Sequence, residues 1–227
     1  MGKLEAARHV WQFMSPLGTF WRFHQVVRSL LMPFPKLLGY LPEQNSTSNP
    51  LKLLDLGCGH GLFLALAKRE RPDLQLMGID LSQEKIVAAR KLFENANGLV
   101  EQLAVMDIAD FPEQSADVIT IVDVLYLVPL DRWNCILKRC FSCLKPGGRL
   151  LLKEMNRLIR WKFVLLYLEE TLAVNVLGLT LGEDFTFPKP QEIRYRLEQA
   201  GFGVEEIPLH RGYFAPHQLW VGHKQAA

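Results

Sequence analysis

The sequence predicts a doubly wound α/β fold: a mostly parallel seven-stranded sheet with an antiparallel C-terminal hairpin and an N-terminal helical cap. Three observations carry this. From residue 51 onward, short runs rich in Leu, Ile and Val alternate with stretches whose apolar residues recur at helical spacing. The connections between them are short, as a parallel sheet with right-handed crossovers requires. A glycine-rich turn, Gly57-Cys58-Gly59-His60-Gly61, joins the first run to the first helical stretch.

Taken in order, Leu51 to Leu56 reads as a first strand, and Leu62, Phe63, Leu66 and Ala67 share one helical face. Leu74 to Asp80 is a second strand, followed by a helix marked by Ile86, Ala89 and Phe93. Val100 to Met106 gives a third strand. Asp117 to Val122 gives a fourth, apolar and β-branched as a strand buried on both faces should be. Trp133, Ile136, Leu137, Cys140 and Leu144 form a helical stripe. Pro146-Gly147-Gly148 then turns the chain into a fifth strand, Arg149 to Lys153. A helix over Pro190 to Ala200 is stopped by Gly201. Val204 to Leu209 and Gln218 to Val221 complete the sheet as an antiparallel pair at its edge.

The polar stretch 42–50 divides the chain into a cap and linker, 1–50, and a main domain, 51–227. Within the latter, 158–189 reads as a helical insertion. Pro16 and Pro33 bound a cap helix. On it Phe20, Phe23, His24, Val27, Leu30 and Leu31 share a face, opposite Arg22, Gln25 and Ser29.

Composition narrows the class. The chain has 227 residues, with 26 Lys and Arg against 24 Asp and Glu, a net charge of +2. That balance argues against nucleic acid as a partner. Residues 1–50 carry Lys3, Arg8, Arg22, Arg28 and Lys36 against Glu5 and Glu43, so the excess of +3 sits there. No apolar run reaches the ~20 residues of a membrane span. No secretory signal is visible, and Ala6 stands where a myristoylated Gly2 would want Ser or Thr. A cytoplasmic protein is expected. Cys135, Cys140 and Cys143 lack a second ligand pair at zinc spacing, so buried free thiols and no metal are expected.

The glycine turn carries the most chemistry. Glycines let the backbone bend sharply and approach a ligand, and the following helix offers free N–H groups. A dehydrogenase would show G-x-G-x-x-G. Here Leu62 occupies the third glycine's place, and Asp55 precedes the turn.

Asp55-Leu56-Gly57-Cys58-Gly59-His60-Gly61 resembles the first motif of the class I S-adenosylmethionine-dependent methyltransferases of small-molecule type. The likeness runs over about residues 51–155, through Gly78-Ile79-Asp80-Leu81, Met106-Asp107-Ile108, Asp123-Val124-Leu125-Tyr126 and Leu144-Lys145-Pro146-Gly147-Gly148. It implies a Rossmann-like sheet and S-adenosyl-L-methionine as cofactor. It also implies a cofactor site made of Asp55, Gly57, Cys58, Gly59 and Gly61. Asp80 and Leu81 belong at the ribose, and Asp107 and Ile108 at the adenine. Asp123 belongs at the methionine end or the acceptor. Asp107 could instead cap the next helix, and Asp123 could serve only to position its loop.

Methyl transfer is an in-line displacement at an activated sulfonium, and alignment alone can supply ~7–11 kcal/mol. A base is needed only for a nucleophile holding a proton of high pKa. Three residues are candidates for chemistry. His60 lies in the turn, with helix initiation as its alternative role. Tyr126 follows Asp123, with ordinary packing as its alternative. Glu154 ends the fifth strand, with a salt bridge to Arg157 as its alternative. His24, His210 and His217 reach the site only if cap and hairpin fold over it.

The acceptor is expected to be small and apolar. The reason is that the cap and residues 158–179 carry more large apolar side chains than the sheet needs. The basic cap, residues 1–40, could also dock at an anionic membrane surface, unless it merely closes the domain. A nicotinamide oxidoreductase and a non-enzymatic cofactor-binding protein are the rival readings. The oligomeric state is not legible.

Overall fold

The structure is a computed structural model. It describes residues 1–43, 50–96, 100, 102–111, 116–156 and 187–226. The predicted insertion 158–189 lies almost wholly outside the described residues.

Three helices open the chain: α1 (Lys3–Phe13), α2 (Thr19–Leu31) and the short α3 (Phe34–Leu38). Strands and helices then alternate as β1 (Lys52–Leu56), α4 (Leu62–Glu70), β2 (Gln75–Asp80), α5 (Gln83–Asn95), β3 (Gln102–Val105), β4 (Ala116–Val122), α6 (Leu130–Cys143) and β5 (Leu144–Met155). The last described elements are α7 (Pro190–Gln199), β6 (Gly203–Pro208) and β7 (His217–His223).

All seven predicted strands are present. The sheet order is β3-β2-β1-β4-β5-β7-β6. Every pairing from β3 to β5 is parallel, and β7 runs against both β5 and β6. The fifth strand starts earlier than its sequence suggests. Pro146-Gly147-Gly148 turns with Gly147 at φ 80°, but Leu144 already pairs with Ala116 before the register shifts to Val118↔Arg149. The turn is thus a bulge inside β5.

Two cores flank the sheet. On one face Leu53, Leu76, Val118, Leu151 and Val221 pack against α1, α3, α4 and α5. On the other, Leu54, Leu56, Ile119, Ile121, Leu152 and Trp220 meet α6 and α7. Ala6, Val10, Met14, Phe34 and Leu37 belong to the first core. The N-terminal helices therefore share their apolar interior with the sheet.

Helix α2 corrects the predicted face. Gln25 and Ser29 are buried, whereas Phe20, Phe23 and Leu31 are 56%, 62% and 47% exposed. The surface beneath α2 is polar, not greasy. The Gln25 amide lies 3.5 Å from His60 Nδ1, and Ser29 donates to the Val26 carbonyl at 2.7 Å. Polar groups satisfied in this way can be buried at little cost. Cys58, Cys140 and Cys143 are buried free thiols, but Cys135 is exposed. It sits on the outer side of α6, away from the Trp133, Ile136, Leu137 and Cys140 stripe.

Candidate active site

Ligands of such sheets bind beyond the carboxyl ends of the strands, where the strand order reverses. Here that point lies between β1 and β4, and a cavity of about 410 Å³ opens there. Ligand pockets run from about 300 to 1,000 Å³.

The turn after β1 forms one wall. Gly57 and Gly59 both have positive φ, 78° and 57°. A Cβ on Gly57 would lie 2.4 Å from a Val124 methyl, so backbone and loop touch there. A Cβ on Gly59 would meet no atom within 4 Å. Gly59 therefore offers bare backbone to the cavity, as a closely held ligand needs.

Asp80 ends β2 and braces that turn. Its Oδ2 accepts the Gly59 N–H at 2.8 Å and its Oδ1 accepts the Ser82 N–H at 2.9 Å. A carboxylate has about four acceptor positions, so both oxygens can still receive hydroxyl groups. Leu81, Asp107 and Ile108 line the same cavity. Asp107 caps a turn, not a helix, accepting from Ala109 N at 2.9 Å. It also pairs with Arg132 at 3.1 Å.

Asp55, Cys58 and Gly61 are not among the cavity-lining residues. Asp55 is buried, accepts the Thr120 hydroxyl at 2.6 Å, and has its pKa pushed up to about 7 by burial. Cys58 is buried and its thiol is likewise held protonated by burial. Gly61 precedes α4 at φ 77°. These three shape the turn from behind.

The three candidates for chemistry separate. Tyr126 lines the cavity and stacks on Phe187, with ring centroids 5.1 Å apart. His60 does not line it. Its ring sits 5.1 Å from Trp21, and burial lowers its pKa to about 4, so it is a neutral seat for α2. Glu154 is buried on the opposite face of β5 from Lys153. Its Oε1 accepts the N–H groups of Val124 at 3.1 Å and Leu125 at 2.8 Å. Burial raises its pKa to about 8. Its predicted alternative partner, Arg157, lies outside the described residues.

Several lining residues were not singled out in the sequence. Lys153, fully buried, donates to both carboxylate oxygens of Asp123, at 2.5 and 2.6 Å. Asp123 has φ 53°, the one described non-glycine residue with positive φ. Arg28 of α2 and Lys85 of α5 face the cavity, and among the described residues the Arg28 guanidinium has no ion-pair partner. A lysine in a strand and an arginine in a helix carry no signal of their own; only the sheet order brings them to one place. His24 and His217 do reach the cavity, whereas His210 is not among its lining residues. His217 Nε2 lies 3.1 Å from the Leu31 carbonyl and joins β7 to the end of α2. The lining also includes an apolar group, Val27, Leu31, Met32, Met155 and Ala215.

Fold, strand-end acids and glycine turn define a cofactor-dependent transferase. The methyltransferase domain family model matches residues 22–207. The chain belongs to that family and is an S-adenosylmethionine-dependent methyltransferase. It is 29% identical over 213 residues to a ubiquinone biosynthesis O-methyltransferase of Idiomarina loihiensis, covering 92% of this chain and 82% of that one. The enzyme of the same name from Leptothrix cholodnii is 28% identical, covering 94% and 89%. Among solved structures, the apo S-adenosylmethionine-dependent methyltransferase SibL superposes with a TM-score of 0.69 at 20% identity. It covers 95% of this chain, which spans only 62% of that longer protein. A mycolic acid cyclopropane synthase, complexed with SAH and CTAB, gives a TM-score of 0.68 at 14% identity over 88% of this chain and 85% of that one. The oxidoreductase and non-enzymatic readings gain no support from these comparisons. Among the described residues, no helix is long and apolar enough to cross a membrane.

Proposed function

We propose that this methyltransferase transfers its methyl group to an oxygen of a small, lipophilic, ring-bearing acceptor. The observation that carries the reading is the mixed lining of one cavity. Bare glycine backbone and acids share it with the apolar side chains of Val27, Leu31, Met32, Met155 and Ala215. The relatives named O-methyltransferases support oxygen as the atom modified.

In this reading Gly57 and Gly59 receive the cofactor chain, and Asp80 with Leu81 receives the ribose. Asp107 and Ile108 flank the adenine, and Arg28 faces the carboxylate of the methionine portion. Asp55, Cys58 and Gly61 hold the turn that makes this possible. The bound cofactor supplies a methyl group on positively charged sulfur. The chain's own task is to orient the acceptor and keep water out, with Tyr126 and the apolar residues as walls. His60 and Glu154 act on the scaffold, through α2 and the loop after β4. Asp123 lines the cavity that both sets share.

The membrane reading has separate support. Phe20, Phe23 and Leu31 are exposed on α2, and Trp11 of α1 is 42% exposed with Arg22 stacked on its ring at 3.7 Å. Aromatic and basic residues together suit an anionic surface where lipophilic acceptors dissolve.

The test is methylation of alkylcatechols. Transfer from labelled S-adenosylmethionine to 4-hexylcatechol should proceed with a KM at least about tenfold below that for catechol, because each buried CH₂ contributes ~0.8 kcal/mol. Equal KM values, or transfer to 4-hexylaniline in preference, would reject the reading.

A further inference from the structure

Asp123 and its two neighbours on β5 form an arrangement that cofactor binding does not require. Asp123 sits at φ 53°, in the left-handed region, which strains a non-glycine residue. Such strain persists only where the surroundings impose it. Here five hydrogen bonds do. The Asp123 N–H donates to the Lys153 carbonyl at 2.9 Å. Lys153 Nζ grips both carboxylate oxygens from one face of β5. Glu154 takes the next two N–H groups, of Val124 and Leu125, from the other face. The outcome is a carboxylate held at the cavity wall, 11% exposed, at a fixed angle.

The pairing is costly unless it serves a purpose. Lys153 is fully buried, and apolar residues in place of a buried ion pair are often as stable or more so. Its Nζ also lies 3.8 Å from the Met32 sulfur. Met32 and Met155 belong to the apolar lining of the cavity, so the pair lies beside the residues that would hold the acceptor. Arg28, also facing the cavity, keeps the region net positive beside the carboxylate.

We propose that Asp123 is the base that accepts the acceptor's hydroxyl proton, and that Lys153 is a positioning residue that holds the carboxylate in place and aimed. The inference rests on the O-methylation reading above. As the acceptor oxygen forms its bond to the methyl carbon, its O–H proton passes to an Asp123 oxygen. The electron pair of the breaking carbon–sulfur bond stays on sulfur. A hydroxyl forming a third bond becomes strongly acidic, so a carboxylate is base enough. The protonated Asp123 then loses its proton to solvent, and Lys153 restores the resting pair.

The experiment compares Asp123→Asn, Lys153→Met, Lys153→Arg and the double variant Asp123→Asn/Lys153→Met. Turnover is measured with 4-hexylcatechol. Binding is measured by calorimetry with S-adenosylhomocysteine and by absorbance titration with 4-nitrocatechol. Asp123→Asn should lower kcat about 100-fold or more, the usual contribution of a general base, with both affinities within about threefold of wild type. Lys153→Met should lower kcat about 30-fold or more, and Lys153→Arg should restore most of it. The double variant should be no slower than Asp123→Asn alone, since Lys153 acts through Asp123. It also removes both buried charges, so it folds if the single lysine variant does not.

Unchanged turnover in Asp123→Asn would overturn the proposal. So would a parallel loss of S-adenosylhomocysteine affinity, which would make Asp123 a cofactor ligand. A double variant slower than both singles would make Lys153 merely structural. If the wild type neither binds 4-nitrocatechol nor methylates 4-hexylcatechol, the acceptor reading fails first and this assignment falls with it.

Discussion

The carboxylate of Asp80 accepts the amide N–H of Gly59 at 2.8 Å, and so ties the end of β2 to the turn after β1. Asp80→Ala therefore removes two things: the brace on the turn and the proposed acceptor for the ribose. Hydrogen bonds to charged groups contribute ~1.5–3 kcal/mol each, so affinity for S-adenosylhomocysteine should fall at least about tenfold. Calorimetry on a variant with an unchanged circular dichroism spectrum checks this. Wild-type affinity would remove Asp80 from the ribose.

The two glycines of the turn should fail differently. Gly57→Ala drives a Cβ into Val124 and should destabilise the fold by about 1–3 kcal/mol. At Gly59 the positive φ strains any side chain, as at Gly57, but an added Cβ meets no protein atom within 4 Å, so the bulk of Gly59→Val projects into the cavity. Its melting temperature should drop by less than that of Gly57→Ala, while cofactor binding disappears. A Gly59→Val protein that still binds S-adenosylhomocysteine normally would mean the turn does not touch the cofactor.

Asp55 should make stability depend on pH. Its pKa is raised from 3.8 to about 7 in the folded state, chiefly by burial. A raised carboxyl pKa means the folded state holds a proton that the unfolded state releases. Its contribution is full below pH ~4 and is lost as pH rises through about 7. Asp55→Asn removes that loss while its amide oxygen can still accept from Thr120. The variant's melting temperature relative to wild type should rise by at least about 2–4 °C between pH 5 and pH 8, equivalent to ~1 kcal/mol. A constant difference would show that Asp55 is ionised when folded.

Phe23 is 62% exposed, so Phe23→Glu should leave stability within about 0.5 kcal/mol of wild type. The same change should abolish co-sedimentation with vesicles containing phosphatidylglycerol. Equal sedimentation of the two proteins, or none by the wild type, would remove the membrane reading.

Much of this was legible in the sequence, for reasons that differ by element. The strands are short apolar runs bounded by turns, and no helical alternative fits between Asp117 and Val122. The acids proposed for the cofactor site announce themselves because Asp80 ends a strand and Asp107 and Asp123 follow one. What stayed hidden was orientation. Helix α2 has a strong apolar stripe, yet Gln25 and Ser29 face inward: the Gln25 amide meets His60, and the Ser29 hydroxyl is satisfied within the helix by the Val26 carbonyl. Periodicity reports that a helix has two sides but not what each side will face. Lys153 was invisible for a related reason. In a strand of Leu and Met it reads as a solvent-facing interruption, and only the pairing of β5 with β4 brings Asp123 within reach.

β7 lies between β5 and β6 although it follows both in sequence. Strand β6 therefore has no neighbour in the sheet until β7 has formed. The two are joined locally and can pair as a hairpin before either meets the rest, whereas β5 must keep its free edge open until that hairpin arrives. The connecting loop holds Ala215, and His217 opens β7, so one wall of the cavity is delivered ready-made in the docking step. Lys3 and Lys36, which donate to the carbonyls of Gly212 and Arg211 in that loop at 2.5 and 2.7 Å, then fasten it to the helices that began the chain. A route in which that hairpin docks last would complete the pocket last. A species caught with its hairpin undocked would keep the glycine turn and its acids but lack the apolar chamber beside them.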